Sequence, residues 1–305
     1  MKYVVTGAAG FIGSHLAEQL VTQGHDVLGV DCFTDYYDPA LKEENARSLD
    51  VERFDLAEQD LGLGGVDGVF HLAGQPGVRS FGDVFDEYAH HNLLASRRVF
   101  DTAARAGVRV VFASSSSVYG EAERYPTAED MAPRPISPYG VTKLGCEHLA
   151  YAYARGFGLD VVTLRYFTVY GPRQRPDMAF ARIVDALAAG SPFELYGDGL
   201  QSRAFTFVAD AVDATVAAME RAETGSVYNI GGGSEATMRE AIAVVERVAG
   251  RSLELVERPA AKGDVRRTAP DTTRAERELG WRAGTPLEDG LRAQWKWAAT
   301  RVAAR

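Results

Sequence analysis

The segment Thr6-Gly7-Ala8-Ala9-Gly10-Phe11-Ile12-Gly13 constrains this chain most. It joins a β-branched and aromatic run at 3–6 to a stretch with apolar residues at helical spacing, Ile12, Leu16 and Leu20. A second strand-like run at 26–30 follows and is closed by Asp31. Glycines permit a tight turn and close approach of backbone to a pyrophosphate. The helix start behind them offers free N–H groups and a positive dipole end. The spacing G-x-x-G-x-x-G departs from G-x-G-x-x-G, so the turn by itself reads equally well as a plain loop. Its place between strand and helix, with an acid ending the next strand, predicts a dinucleotide site. Asp31 would accept hydrogen bonds from an adenosine ribose and repel a 2′-phosphate. Cys32 rather than an arginine follows it, so NAD is expected over NADP; the alternative for Asp31 is a solvated strand end.

Further runs at 66–72, 109–113 and 160–166 read as strands, with helical stretches at about 85–106 and 137–156 between them. This alternation predicts an α/β fold: a Rossmann-type, doubly wound parallel sheet covered by helices on both faces. After Gly171 the pattern changes, with Pro, Gly and Arg gathered at 171–176 and Gly-Asp-Gly at 197–199. A first lobe over 1–170, joined by a returning segment at about 205–230, and a smaller lobe over 171–305 are expected. The 305 residues suffice for two lobes sharing a core, and 46% hydrophobic content argues against disorder.

Charge and cysteines narrow the partners. Lys plus Arg number 33 against 42 for Asp plus Glu, a net charge of −9 that disfavours general nucleic-acid binding. A local basic pocket for a small phosphorylated ligand stays open. No apolar run approaches the roughly 20 residues that cross a bilayer, so no membrane partner is expected. The N-terminus lacks the features of a secretory signal. Cys32 and Cys146 have neither disulfide nor metal-ligand spacing, and the adjacent His90-His91 lack further ligands at useful spacing. No metal and a reducing, cytoplasmic home are expected.

Tyr139 and Lys143 lie four positions apart in Ser137-Pro138-Tyr139-Gly140-Val141-Thr142-Lys143 and share a helix face. A lysine ammonium beside a phenol stabilises the phenolate, which suits a general base or acid acting on a hydroxyl group. Alone, such a pair is usually a surface feature. Here it follows Ser114-Ser115-Ser116-Ser117-Val118-Tyr119-Gly120, which leaves the end of a strand, where ligands of parallel sheets bind.

With these motifs in order, the chain resembles the extended short-chain dehydrogenase/reductases of the NAD-dependent sugar-nucleotide epimerase/dehydratase family. The likeness covers nearly the whole chain: TGAAGFIG at 6–13, HLAGQPGVR at 71–79, SSSSVYG at 114–120, SPYGVTK at 137–143, LRYFTVYGPRQRPDM at 164–178, YGDG at 196–199, QSRAFTFV at 201–208 and YNIG at 228–231. It implies a tightly held NAD, a homodimer through the two long helices of the first lobe, and a nucleoside diphosphate sugar between the lobes. It also implies that Gly7, Gly10 and Gly13, with Phe11 and Ile12, hold the pyrophosphate. Asp31 would meet the adenosine ribose, Asp55 and Leu56 the adenine, and Leu72 and Ala73 would line the cofactor site. Tyr139 would be the base, Lys143 would bind the nicotinamide ribose, Ser115 would hold the Ser/Thr position, and Phe167 would lie near nicotinamide and sugar. Arg79, Ser116, Ser117 and Thr168 fall to the substrate side, Glu194 and Tyr196 to the uracil, and Arg203 to the diphosphate. Some relatives place an arginine where this chain has Ala261; Lys262 or Arg266 would then take the phosphate contact.

The resemblance also sorts the chemistry. Family dehydratases carry Asp-Glu after the Ser/Thr position, whereas this chain has Ser116-Ser117, which cannot do that acid–base work near neutrality. Thr168 stands where neutral-sugar epimerases and decarboxylases carry Asn, and Arg165 to Pro176 looks like the uronate 4-epimerases. Arg175 could clamp a carboxylate bidentately; it could equally be a loop arginine or a diphosphate ligand. The activity implied is 4-epimerisation of a UDP-sugar, UDP-glucuronate to UDP-galacturonate. The alternatives are UDP-glucose 4-epimerase, UDP-glucuronate decarboxylase and, in another class, a non-catalytic NAD or sugar-nucleotide sensor.

Overall fold

The computed structural model describes residues 1–78, 82, 84–260 and 265–303. Its strands are β1 (Lys2–Thr6), β2 (Asp26–Asp31), β3 (Val51–Arg53), β4 (Gly68–His71), β5 (Arg109–Ser115), β6 (Val161–Tyr166), β7 (Thr168–Tyr170), β8 (Phe193–Tyr196), β9 (Ser202–Phe207), β10 (Val227–Ile230), β11 (Ser234–Thr237), β12 (Leu255–Arg258) and β13 (Arg267–Thr268). The helices are α1 (Phe11–Thr22), α2 (Pro39–Ala46), α3 (Phe85–Tyr88), α4 (Ala95–Ala106), α5 (Pro138–Phe157), α6 (Ala179–Ala189), α7 (Val208–Arg221), α8 (Met238–Ala249), α9 (Thr273–Leu279) and α10 (Leu287–Ala303). A π-helical turn, Ala89–Leu94, joins α3 to α4.

Val4, Val5, Val69, Phe70, Val110 and Phe112 are fully buried neighbours on their strands. Such unbroken apolar runs suit parallel strands covered on both faces. Seven strands pair in parallel in the order β10-β6-β5-β4-β1-β2-β3. α1, α7 and α9 contribute to the core on one face, and α4 and α5 to the core on the other. Burying each large side chain in these layers contributes about 1.5–3 kcal/mol. The direction of winding reverses between β1 and β4, which opens a crevice beyond the carboxyl ends of the strands.

The doubly wound α/β architecture agrees with the sequence reading, and the strand ends shift by a residue or two. β3 has too little apolar content to stand out; it pairs with β2 at the sheet edge, and Val51 packs against the core. The return after 205 is divided. Residues 202–207 form β9 at the centre of a second sheet, between β11 and β13 with β7 also on it. α7 packs on α1 and β10 rejoins the large sheet beside β6. A third pair, β12 on β8, completes the smaller lobe, whose core gathers Tyr170, Phe180, Ile183, Phe193, Phe205 and Leu291. Among the described residues, no helix is long and apolar enough to cross a membrane.

Candidate active site

The glycine turn sits at the reversal of winding. Gly7 adopts φ +71°, and its N–H donates to the Val30 carbonyl at 2.8 Å. A Cβ on Gly13 would fall 2.1 Å from the Gly7 carbonyl oxygen, so the helix can start this close to β1 only with glycine there. Gly10 is the N-cap of α1, and no side chain caps its first turn. Asp31 braces the turn: its Oδ2 accepts from Ala9 N at 3.2 Å and its Oδ1 from Phe33 N at 2.8 Å.

A first cavity runs along this edge. Gly7, Gly10, Phe11, Ile12, Gly13, Asp31, Asp55, Leu56, Leu72, Ala73, Tyr139, Lys143 and Phe167 all line it, so every residue expected on the cofactor side is there. An uncapped helix start at its middle, carboxylates at one end and a lysine at the other fit a dinucleotide. A second cavity opens toward the smaller lobe and is lined by Ser115, Ser116, Ser117, Tyr139, Thr168, Arg175, Glu194, Tyr196 and Arg203. Ser115, Tyr139, Phe167 and Arg175 line both, so they form the wall where the two spaces meet.

α5 begins at that wall. Ser137 is its N-cap, its hydroxyl accepting from Gly140 N at 3.1 Å, and Pro138 opens the helix. Tyr139 thus lies in the first turn and Lys143 one turn on. Lys143 is buried, and its Nζ donates to the Ala113 carbonyl at 2.9 Å near the end of β5. Ser115 closes β5; its hydroxyl accepts from Ser117 N and donates to Ser117 Oγ, both at 3.1 Å, capping the 3₁₀ turn Ser116–Tyr119. Beneath the cofactor cavity His71 is fully buried between Thr6 Oγ1 at 2.8 Å and Ser96 Oγ at 2.9 Å. Burial, and after it the Lys143 ammonium, push the His71 imidazole down to about 3.

Arg266, expected at the diphosphate, pairs bidentately with Asp198 at 2.8 and 2.9 Å on the exposed surface, while its neighbours Val265 and Thr268 line the sugar-side cavity. Arg79, Ala261 and Lys262 lie outside the described residues. Arg175 lines both cavities and spends one edge of its fork on Asp177.

Other residues of the site escaped the sequence reading. Asn92 is fully buried; its side chain holds the Gln75 backbone and Thr142, and a Cβ on Gly74 would touch both Asn92 and Lys143. Tyr36 lines both cavities, Lys42 lines the first, and Arg182 lies over the Phe193 and Tyr196 rings beside the second. Asp55 joins His90 and His91 in a cluster whose donor atoms lie within 4.8 Å of one another. His90 donates to Asp55 at 3.0 Å, and His91 lies 3.4 Å from Glu87. Only the fold brings Asp55 across, so residue spacing could not reveal a third potential metal ligand.

The family model described as the NAD dependent epimerase/dehydratase family matches residues 3–231. The chain belongs to that family. This epimerase/dehydratase is 41% identical over 303 residues, 95% of the chain and 96% of the relative, to a protein of Bacillus subtilis (strain 168) called an uncharacterized UDP-glucose epimerase, YtcB. It superposes with a TM-score of 0.95 and 38% identity on UDP-glucuronic acid 4-epimerase from Bacillus cereus in complex with UDP-glucuronic acid and NAD, covering 99% of this chain and 100% of that one. With MoeE5 in complex with UDP-glucuronic acid and NAD the TM-score is 0.90 at 44% identity, over 99% of this chain and 100% of the other.

Proposed function

We propose that this chain is an NAD-dependent UDP-sugar 4-epimerase that interconverts UDP-glucuronate and UDP-galacturonate. One observation carries the reading: Ser115, Tyr139 and Arg175 stand together on the wall shared by the two cavities, where the sugar of a bound UDP-sugar would face the cofactor. The Bacillus cereus neighbour, bound to UDP-glucuronic acid and NAD, supports it.

NAD, when held by the glycine turn and Asp31, would supply reversible hydride transfer at C4 of the sugar, and rotation of the 4-keto sugar in the cleft would present its other face for the return. Tyr139 would take the C4 hydroxyl proton and give it back, and Ser115 would hold the same oxygen. Lys143, fixed by the Ala113 carbonyl, would bind the nicotinamide ribose and keep positive charge near the phenol. Gly7, Gly10 and Gly13 would receive the pyrophosphate and Asp31 the adenosine ribose. Glu194 and Tyr196 would border the uracil, with Arg203 at the diphosphate.

The 4-keto uronate is a β-keto acid. If its C5–carboxylate bond breaks, carbon dioxide leaves and the bonding pair enters the ketone as an enolate. Arg175 and Thr168 would hold the carboxylate out of that alignment. Dehydration is disfavoured by the acids at hand. Among the described residues lining the sugar-side cavity these are Asp177 and Glu194, the first bound to Arg175 and the second to Arg258 and Tyr196.

We further propose residues 1–170, with a returning segment narrowed to α7 and β10, as the NAD-binding lobe and the remainder of 171–305 as mainly the sugar-nucleotide lobe. A homodimer through the two long helices is supported by the exposed Leu94, Val141, Tyr151 and Phe157 in this part of the chain. Unpaired Cys32 and Cys146 are compatible with a reducing cytoplasm.

UDP-glucose is the second substrate reading, favoured by the MoeE5 structure with UDP-glucose and NAD. The deciding experiment incubates the protein with UDP-glucuronate, UDP-glucose and UDP-galactose and identifies products by NMR. UDP-galacturonate from UDP-glucuronate is expected. Turnover of the neutral sugars alone refutes the uronate assignment, and bound cofactor with no turnover on any of the three revives the sensor.

A further inference from the structure

Arg175 carries its own carboxylate partner. Its Nε donates to Asp177 Oδ1 at 2.9 Å and its Nη2 to Asp177 Oδ2 at 3.0 Å, a side-on bidentate pair within one turn of chain. The turn is closed by Met178 N donating to the Arg175 carbonyl at 3.0 Å. Asp177 is held in turn from the cofactor side: Tyr36 OH reaches its Oδ2 at 3.4 Å. Burial, then the Asp177 carboxylate, push the Tyr36 phenol up to about 12, so it stays a donor across the neutral range. Among the described residues Arg175 Nη1 makes no hydrogen bond, and Arg175 lines both cavities.

We propose that Asp177 is a positioning residue that aims Arg175 at the sugar carboxylate and thereby sets the preference for a uronate. The proposal rests on the uronate reading above. A guanidinium has two edges that each match a carboxylate: the side-on edge of Nε and Nη2, and the end-on edge of Nη1 and Nη2. Asp177 occupies the first. The second is left for the substrate, with the plane of the fork already fixed. A long side chain held in this way loses little rotamer freedom when the sugar acid arrives. Tyr36 ties that orientation to the segment following Asp31, so the clamp is braced by the cofactor-binding side of the cleft. Without Asp177 the fork would swing, and the carboxylate could rotate into the alignment that releases carbon dioxide.

The test compares wild type, Asp177→Asn and Asp177→Glu on UDP-glucuronate. KM and kcat are measured separately, products are partitioned by NMR, and melting is followed alongside. Asparagine keeps the size but sets an NH2 against an arginine donor. Asp177→Asn is expected to raise KM, to lower kcat/KM between about 10- and 100-fold, and to raise the share of UDP-4-keto-pentose or UDP-xylose. Asp177→Glu is expected to recover part of both. An unchanged product ratio in Asp177→Asn overturns the proposal, whether or not the rate or melting point falls, since a merely structural residue moves those without moving the ratio. A lower KM also overturns it, because Asp177 would then compete with the substrate for the fork. A wild type that leaves UDP-glucuronate untouched is a different failure, that of the uronate reading itself.

Discussion

Lys143 Nζ and the Ala113 carbonyl oxygen are 2.9 Å apart, a hydrogen bond that ties the second turn of α5 to the end of β5. Ser115 leaves the same strand two residues on. One strand end therefore sets the position of the lysine and the serine, while the capped start of α5 sets the tyrosine. The three side chains come from two elements whose relative placement is fixed by a buried contact.

That rigidity makes the phenol separable from the scaffold. Tyr139→Phe should keep the protein folded and NAD bound while turnover falls about 10²- to 10⁴-fold, the loss expected for a positioned acid–base group. Cofactor content by absorbance and turnover by NMR check the two halves. Near-normal turnover would remove Tyr139 from the proton transfer.

Hydride should stay inside the site. UDP-glucuronate deuterated at C4 is expected to give UDP-galacturonate still deuterated at C4, with no added NAD consumed. Loss of the label to solvent, or a stoichiometric need for NAD, points to another reaction.

Arg175→Lys keeps a charge and discards the fork. It should slow turnover of UDP-glucuronate and enrich the decarboxylated by-product, with activity on UDP-glucose, if present, reduced less. If both Arg175→Lys and Arg175→Ala match wild type in uronate affinity, rate and product ratio, the clamp is wrong.

His71 predicts how stability responds to acid. Its ordinary value is 6.5 and its folded value about 3, lowered by burial first and by Lys143 second. Between these values the unfolded chain binds a proton that the native state refuses. This contribution is therefore intact above 6.5 and is lost as pH falls toward 3, with a slope approaching about 1.4 kcal/mol per pH unit. Urea titrations at several pH values should show this loss beginning below 6.5, and His71→Gln should flatten it. An identical slope in the variant would acquit His71.

Much of the site was legible because its chemistry is written in contiguous segments. The turn 6–13, Asp31, the serines at 115–117 and the Tyr139–Lys143 pair each sit at the end of a strand or the start of a helix, where local pattern suffices. Tyr36 was not legible, since it meets Asp177 across 141 positions and only the cleft brings them together. Asn92 follows His90 and His91 in a π-helical turn, and nothing in that polar run marks it as the buried one. Arg266 came forward only through the resemblance, and its pair with Asp198, 68 positions away, is made by the fold alone. β9 looked like part of the return to the first lobe because its apolar run reads the same in either sheet; the partners β7, β11 and β13 decide.

Asp31 gives the cofactor preference a mechanical side. The same carboxylate that would face the ribose also ties Ala9, within the glycine turn, to Phe33, which is held at φ 53°. Exchanging it for a neutral small residue to admit a 2′-phosphate would remove a repulsion and, in the same stroke, unfasten the loop proposed to cradle the pyrophosphate. Retargeting this enzyme to the phosphorylated dinucleotide is therefore an engineering problem of two coupled variables: a new anion contact has to arrive together with a substitute tether for Ala9 and Phe33.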